Sequence, residues 1–294
     1  MNGLFLLDKP EGITSFSAVA RLRRLLGEKK AGHTGTLDPM ATGVLPVLLG
    51  GATRFSDFLP SHEKAYEARL RLGITTDTLD ITGRVLSRSE VSVSRAQVAD
   101  ALAPFRGKIE QVPPMVSAIS QGGVRLYELA RKGITVERPA RAVEIFSLAL
   151  LDLPEPDCYG IAVRCSAGTY IRSLIDDIGR RLGCGAVMTA LRRCAAHGYP
   201  AARCVTLEAL EQGIAAAQYL LPIDQALEAY HAVAVSAAQA LRFCSGGALD
   251  MNRLPALPPC EEGALLRVYD PEKKFLGLGR IKAGQVWVAR LLVG

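Results

Sequence analysis

A glycine-rich loop carries the side chains of this sequence that are best suited to chemistry. It spans residues 32–39 and reads Gly-His-Thr-Gly-Thr-Leu-Asp-Pro. Its glycines permit a tight turn or the close approach of a ligand, and Pro39 stiffens the backbone directly after Asp38. From the residues alone, a catalytic aspartate and an ordinary turn aspartate fit equally well. One carboxylate and one histidine do not make a metal site, and no Lys-Ser/Thr pair follows the glycines as in a phosphate-binding P-loop.

Apolar periodicity predicts the elements that hold this loop. Residues 3–7 have the pattern of a strand, residues 15–26 that of a helix capped by Ser15, and residues 44–49 that of a buried strand. The residues expected on the inner face of the helix are Phe16, Val19, Leu22 and Leu26. The loop is therefore expected between a basic helix and a buried strand, which would hold its carboxylate firmly.

Two further elements carry polar side chains that could reach the loop. Residues 65–72 alternate apolar and polar, so Tyr66 is predicted to point inward from a half-buried strand. A helix that ends at Gly183 has an apolar stripe over three turns. Tyr170 and Arg172 lie in its first turn, off that stripe, and are free to contribute to a site.

The rest of the pattern predicts an insertion and a separate C-terminal domain. Residues 107–141 contain Pro-Pro and Gly-Gly pairs and are expected to leave the core. After residue 228, strand-like runs separated by turns indicate a small β domain. The other predicted elements are a helix capped by Ser94 to residue 103, strands at 143–150 and 161–165, helices at 206–217 and 236–243, and strands at 264–269, 275–281 and 285–292.

Composition favours a protein of the cytosol that binds a polyanion. The 294 residues have a net charge of +6, and residues 1–133 hold 18 Lys and Arg against 13 Asp and Glu. A basic half suits a nucleic-acid partner. No apolar run is long enough for a membrane helix, and the N-terminus lacks the features of a signal peptide. The seven cysteines have no CxxC spacing, which argues against a zinc site or a disulfide framework.

The loop and several separated motifs closely resemble the TruB-type tRNA pseudouridine synthases. The loop continues as Met-Ala-Thr-Gly-Val-Leu-Pro, as in the catalytic segment of that family. Further similar segments follow in the family's order over nearly the whole chain: 7–15, 64–66, 77–80, 111–128, 168–172 and 191–193. The resemblance implies an α+β fold, with a mixed, largely antiparallel sheet flanked by helices at 1–228, a thumb-like insertion at about 107–141, and a PUA-like RNA-binding β-barrel at 229–294.

The resemblance also implies the activity and the site residues. A uridine in the tRNA T-loop, at the position conventionally numbered 55, would be flipped out and isomerised to pseudouridine without a cofactor or metal. Asp38 matches the essential aspartate, Arg172 the arginine that pairs with it, and Tyr66 the ring that stacks on the target base. The residues that resemble substrate contacts are His33, Tyr170, Leu191 and Lys9. We expect the pair with Arg172 to lower the pKa of Asp38.

One departure and two alternatives accompany this hypothesis. Val116 and Ser120 occupy positions where the family usually has Tyr and Lys, which weakens the expected RNA contacts of the insertion. The alternatives are a catalytic subunit that depends on guide RNA, and a non-catalytic RNA-binding or RNA-folding protein on the same fold. The sequence otherwise implies tRNA as the partner, no protein partner, a monomer and a cytoplasmic location.

Overall fold

The computed structural model describes residues 1–60, 62–153, 155–255 and 259–292. Its strands are β1 (Gly3–Lys9), β2 (Ala31–His33), β3 (Thr42–Leu49), β4 (Lys64–Leu72), β5 (Ile74–Thr76), β6 (Val85–Arg88), β7 (Gly107–Gln111), β8 (Ser120–Gln121), β9 (Val124–Arg125), β10 (Arg141–Asp152), β11 (Cys158–Cys165), β12 (Ala186–Ala196), β13 (Tyr199–Pro200), β14 (Val205–Thr206), β15 (Leu220–Pro222), β16 (His231–Ala234), β17 (Leu249–Asp250), β18 (Leu265–Tyr269), β19 (Phe275–Lys282) and β20 (Gln285–Leu291). The α-helices are α1 (Ser15–Leu25), α2 (Arg95–Ala101), α3 (Leu126–Arg131), α4 (Ile171–Leu182), α5 (Leu207–Glu211), α6 (Ile223–Ala226) and α7 (Ala237–Cys244). Short 3₁₀ helices lie at Gly50–Phe58, Ala103–Phe105, Ala201–Arg203, Ala216–Tyr219 and Met251–Arg253.

A mixed sheet forms the centre of the larger domain and confirms the predicted α+β class. Its main strands run in the order β14-β1-β3-β12-β4-β11-β10-β7, and β2, β13 and β15 pair with β3, β12 and β1. Most neighbours are antiparallel; β1 pairs with β14, and β12 with β3, in parallel. Long crossings of this kind bring residues from distant parts of the chain to one edge, which is what a composite site requires.

Helix α1 begins one residue earlier than the sequence suggested, because Thr14 rather than Ser15 caps it. The Thr14 hydroxyl accepts from the backbone N–H of Ser17. Ser15 is buried, and its hydroxyl bonds both backbone groups of Leu37, at 2.8 and 2.9 Å. The expected inner position of Phe16 is wrong: its side chain is 80% exposed, and the buried face is formed by Ala18, Val19 and Leu22.

Strand β4 and helix α4 follow their predictions. Tyr66 and every second residue after it to residue 72 are buried, while the residues between them are exposed. Helix α4 packs its apolar stripe into the main core and ends at Gly183, which has a φ of 78° that suits glycine. Each fully buried Leu or Ile of such a stripe contributes about 1.5–3 kcal/mol to folding. Both elements therefore give their site residues a rigid base.

The segment that leaves the sheet is shorter than predicted. Strand β7 pairs with the first residues of β10, so residues 107–111 and Arg141 belong to the sheet, and the excursion comprises residues 112–140. The predicted helix at 206–217 is also wrong in extent. Helix α5 stops at Glu211, and Gly213, with a φ of 94°, separates it from a 3₁₀ turn. The predicted cap at Ser94 is confirmed, and Gln97 completes a capping box there.

The predicted C-terminal β domain is a five-stranded sheet in the order β16-β18-β19-β20-β17. It has its own apolar cluster, with Phe243, Leu266 and Val286 fully buried. A second cluster joins it to the larger domain, where the rings of Phe55 and Phe275 lie 5.8 Å apart. No helix among the described residues is long and apolar enough to cross a membrane.

Candidate active site

Asp38 stands on the loop between β2 and β3, and buried groups hold that loop on both sides. Ser15 binds the backbone of Leu37, directly before Asp38. Arg193, which is fully buried on β12, donates to the carbonyl oxygens of Val44, Gly35 and Thr36 at 2.6, 3.1 and 3.5 Å. The loop is thus fixed by side chains from two other elements, and its carboxylate has a defined position.

A bidentate ion pair joins Asp38 to Arg172 of α4. The Nε atom lies 2.9 Å from Oδ2 of Asp38, and Nη2 lies 3.0 Å from Oδ1. The arginine is 4% exposed, and it also donates to the carbonyl oxygens of Thr78 and Val116 at 3.1 and 2.8 Å. A planar guanidinium held on several sides orients a carboxylate better than a flexible ammonium can.

Burial raises the pKa of Asp38 above its ordinary value despite this pair. Arg172 and Lys9 lower the pKa of the carboxyl group, but removal from water outweighs them, and the nearby Asp80 carboxylate raises it further. Arg172 thus lowers the pKa of Asp38 as expected, but burial, which the sequence did not reveal, outweighs that contribution. A carboxylate that is partly desolvated yet oriented by a cation is a more reactive nucleophile than a solvated one.

Asp38 and Arg172 open onto a cavity of about 210 Å³. Tyr66, Tyr170 and Leu191 line the same cavity, so five predicted site residues meet at one place. The other lining residues are Thr36, Leu37, Lys64, Ser117, Ala118, Gly168, Thr169 and Ile171. A cavity with mixed polar and apolar walls, two tyrosine rings and one carboxylate suits a heterocycle that reacts beside that carboxylate.

Tyr66 is oriented by its place in the sheet. It is 7% exposed and pairs in register with Arg193 of β12, so the two side chains share one face. Burial raises the pKa of Tyr66, and a hydrogen bond with Arg193 opposes that rise. The phenol is therefore a neutral ring at neutral pH, available for stacking inside the cavity.

Lys9 does not face the cavity, which differs from its predicted role as a substrate contact. The side chain is fully buried, and its ammonium group donates to the carbonyl oxygens of Pro10, Ile13 and Pro39 at 2.7, 2.8 and 3.3 Å. Burial lowers the pKa of Lys9 to about 8, an effect that Asp38 partly offsets. Lys9 thus anchors the backbone next to Asp38 and adds positive charge behind it.

A wider groove of about 1060 Å³ leads to Asp38 between α1, the loop and the insertion. His33 lies in the wall of this groove. Burial lowers the pKa of its imidazole and the positive charge of Arg193 lowers it further, so the ring is neutral at neutral pH. Among the described residues, Nδ1 of His33 has no hydrogen-bond partner. Phe16 lies in the same wall, and Arg84, Arg125 and Arg131 supply positive charge.

The insertion forms the other side of the groove. Its Val116 stands where the family usually has Tyr, but the backbone contact made at this position is independent of the side chain. The carbonyl oxygen of Val116 accepts from Arg172, a bond that any residue at this position can make. The next residue, Ser117, is buried at the boundary between groove and cavity. Sequence reasoning missed Arg193, Asp80 and Lys64 as parts of the site, although all three stand in the motifs at 191–193, 77–80 and 64–66.

Comparison with protein families matches almost the whole chain. Residues 23–171 match the model described as the TruB family pseudouridylate synthase N-terminal domain. Residues 172–228 match the tRNA pseudouridylate synthase B C-terminal domain, and residues 232–292 match the pseudouridine synthase II TruB C-terminal model.

Curated relatives and solved structures agree with these matches. The chain is 46% identical to tRNA pseudouridine synthase B of Burkholderia mallei (strain NCTC 10247), over 100% of this chain and 97% of the relative. It is 45% identical to the protein of that name from Pseudomonas paraeruginosa (strain DSM 24068 / PA7), over 96% and 92% of the two chains. A chain of a Cbf5-Nop10-Gar1 complex superposes with a TM-score of 0.74 at 26% identity, covering 99% of this chain and 85% of that one.

Proposed function

Because this chain belongs to the TruB family of pseudouridine synthases, we propose that it converts a uridine of tRNA to pseudouridine, in the T-loop at position 55. The observation that carries the proposal is the bidentate Asp38–Arg172 pair at the wall of a cavity that Tyr66 and Leu191 also line. This arrangement places one oriented carboxylate beside a space suited to a single base.

The proposed reaction uses Asp38 as its only acid–base or nucleophilic carboxylate. The carboxylate attacks C1′ of the ribose or C6 of the base, or it stabilises the cation left when the glycosidic bond breaks. The N1–C1′ bond breaks, the detached uracil rotates, and C5 bonds to C1′ as any bond to Asp38 breaks. The C5 proton leaves and N1 takes up a proton. Substrate and product are isomers, so the reaction balances without an oxidant or a second substrate.

The remaining cavity residues hold the base during these steps. Tyr66 stacks on the flipped uracil and can assist loss of the C5 proton, while Leu191 and Tyr170 complete the walls. Arg172 orients Asp38 and keeps a cation beside its negative charge. Lys9 supports the loop from behind rather than contacting RNA. His33, in the groove wall, occupies the space that the target base vacates.

The groove is the proposed path of the RNA. A stacked uridine does not expose C1′ or C6, so the base must be flipped out at a cost of about a few kcal/mol. Contacts with phosphates along the groove, for which Arg84 and Arg125 are placed, offset that cost. We assign the reaction to residues 1–228 and further RNA contacts to the PUA-like domain at 229–294. We place the protein in the cytoplasm as a monomer.

A direct assay separates this proposal from its alternatives. Purified protein is incubated with an unmodified tRNA transcript, and pseudouridine is mapped for wild type, for Asp38→Asn and for Asp57→Asn as an exposed control. We expect product at one T-loop uridine with wild type and the control, and none with Asp38→Asn. Tight tRNA binding without product would favour a non-catalytic RNA-binding protein. Product only after addition of a guide RNA would favour a guide-dependent subunit.

A further inference from the structure

Lys64 is a cationic residue of the cavity that the proposed reaction leaves without a role. It begins β4, two positions before Tyr66, so the two side chains lie on the same face of the sheet. Both line the cavity at Asp38. The side chain of Lys64 therefore faces the cavity that Asp38 also lines.

The ammonium group of Lys64 has no acceptor of its own in the described part of the chain. A neighbouring carboxylate, Glu63, is engaged by Arg164 at 2.6 Å. The thiol of Cys165 lies near, but burial raises its pKa, so it carries no charge at neutral pH. Half-buried ammonium groups normally have a carboxylate or several carbonyl partners, because leaving water without them costs free energy.

A second cation stands beside Lys64. If Gly35 had a Cβ atom, Nζ of Lys64 would lie 3.3 Å from it and Nη1 of Arg193 3.6 Å. Arg193 donates to the carbonyl oxygens of Gly35, Thr36 and Val44, and no ion pair joins it to a carboxylate among the residues that the structure describes. Burial and this guanidinium lower the pKa of Lys64 to about 8. The charge of Arg193, buried behind the cavity wall, repels that of Lys64 unless an anion enters the cavity.

We propose that Lys64, with the charge of Arg193 behind it, binds a phosphate group of the substrate RNA next to the flipped uridine. The inference rests on the proposed function, since RNA is the polyanion that this site would receive. An ammonium group suits a phosphate as a mobile point charge. The bare Gly35 leaves the space through which the phosphate approaches, because a side chain there would contact Nζ. The bound nucleotide is thereby held against Asp38 by its backbone as well as by its base.

The proposal is tested by changing the charge on each side of the contact. Affinity for a T-arm stem-loop is measured over a range of salt concentrations, for wild type, Lys64→Met, Lys64→Arg and the exposed control Lys274→Met. We expect Lys64→Met to weaken binding about tenfold and to reduce the salt slope by roughly one unit or less. Lys64→Arg keeps the charge and should remain within about threefold of wild type, as should the control.

A neutral phosphate provides the matching change in the RNA. Stem-loops with a single methylphosphonate linkage, on either side of the target uridine, are compared for wild type and Lys64→Met. We expect one linkage to weaken wild type by the same factor as the mutation and to leave Lys64→Met unaffected. The proposal is wrong if each methylphosphonate weakens the binding of Lys64→Met by the same factor as it weakens wild type. It is also wrong if Lys64→Met binds the RNA with wild-type affinity and a wild-type salt slope.

Two further outcomes are distinguishable in the same experiment. If Lys64→Met loses turnover while its affinity and salt slope stay unchanged, the amine acts as the base that removes the C5 proton, and the phosphate contact is wrong. If wild type forms no pseudouridine, the proposed function fails, while the binding measurements still decide whether Lys64 contacts a phosphate. Thermal unfolding of Lys64→Met, with Lys64→Arg as the second variant, separates a folding defect from a binding defect.

Discussion

The cavity and the insertion differ in how they are held, although both border the same groove. Asp38, Arg172 and Arg193 come from distant parts of the chain and are tied by buried bonds of 2.6–3.5 Å. The insertion at 112–140 is mostly exposed and is built from two-residue strands and one short helix. Its links to the body include the carbonyl of Val116 on Arg172 and the carbonyl of Val112 on Ser173.

This difference predicts that the cavity positions reacting groups and that the insertion contributes to RNA binding. Reacting groups need to be held within a fraction of an ångström, which long-range buried bonds achieve. A surface that grips a folded RNA gains from local structure that can adjust to its partner. Changes to the buried Asp38–Arg172–Arg193 set should therefore affect turnover or folding, and changes in the insertion should affect affinity.

The largest expected effect is on turnover, from Arg172→Ala. The variant loses the bidentate contact that orients Asp38, so we expect kcat to fall by about a thousandfold with tRNA affinity changed only severalfold. Single-turnover kinetics and a binding titration measure the two quantities. Arg180→Ala is the control, because Arg180 lies on the same helix, is 72% exposed where it pairs with Asp176, and does not line the cavity. Equal losses of turnover and affinity would contradict the orienting role of Arg172.

The next effect is on folding, from Arg193→Met. The substitution removes the donor from the carbonyl oxygens of Gly35 and Thr36 in the loop and of Val44 in β3, so we expect the free energy of unfolding to fall by about 2–4 kcal/mol. Urea denaturation measures it. The neighbouring Arg192→Met is a matched control: Arg192 is 42% exposed and pairs with Asp8, so its loss should cost less than about 1 kcal/mol. Similar losses for the two variants would show that Arg193 does not hold the loop.

These residues also show what could be read from the sequence. The inward position of Tyr66 and the end of α4 at Gly183 follow from period-two and helical patterns, which are local. The buried place of Arg193 does not follow, because β12 shifts register on both sides of Ala190–Arg193 and strand alternation is interrupted there. Lys9 is buried because three carbonyls converge on it, one of them 30 residues away in the chain.

Other differences arise where neighbouring residues compete for one role. Thr14 and Ser15 are both good capping residues, and only the contact with Leu37 decides that Ser15 points inward. Phe16 has the spacing of a core residue but lies at the edge of the groove. The motifs indicated which segments meet, while the structure determined which of their side chains face the cavity.

A smaller effect concerns the pH dependence of turnover. The proposed reaction uses the ionised form of Asp38, so the raised pKa of this group predicts that turnover falls at a higher pH than with an ordinary aspartate. The Asp80 carboxylate contributes to the raised pKa of Asp38. Asp80→Asn should therefore lower that pKa and move the acid limb of the pH–rate profile to lower pH. Single-turnover rates against pH measure the shift, with the exposed Asp100→Asn as control. Nη1 of Arg172 lies 3.8 Å from Oδ2 of Asp80, so an acid limb that moves to higher pH would mean that Asp80 acts mainly by holding Arg172.

The smallest expected effect is a gain in affinity, from Val116→Tyr in the insertion. The backbone carbonyl of Val116 keeps its bond to Arg172 whatever the side chain, so the cavity should be undisturbed and kcat unchanged. A tyrosine at this groove position can stack on an unpaired base, which is worth about 1–3 kcal/mol in single-stranded RNA contacts. We therefore expect tRNA affinity to rise several-fold in a filter-binding titration. Val124→Tyr, on the exposed hairpin outside the groove lining, should not change it. If Val116→Tyr lowers kcat instead, the insertion positions the catalytic pair, and the cavity and the insertion are one unit rather than two.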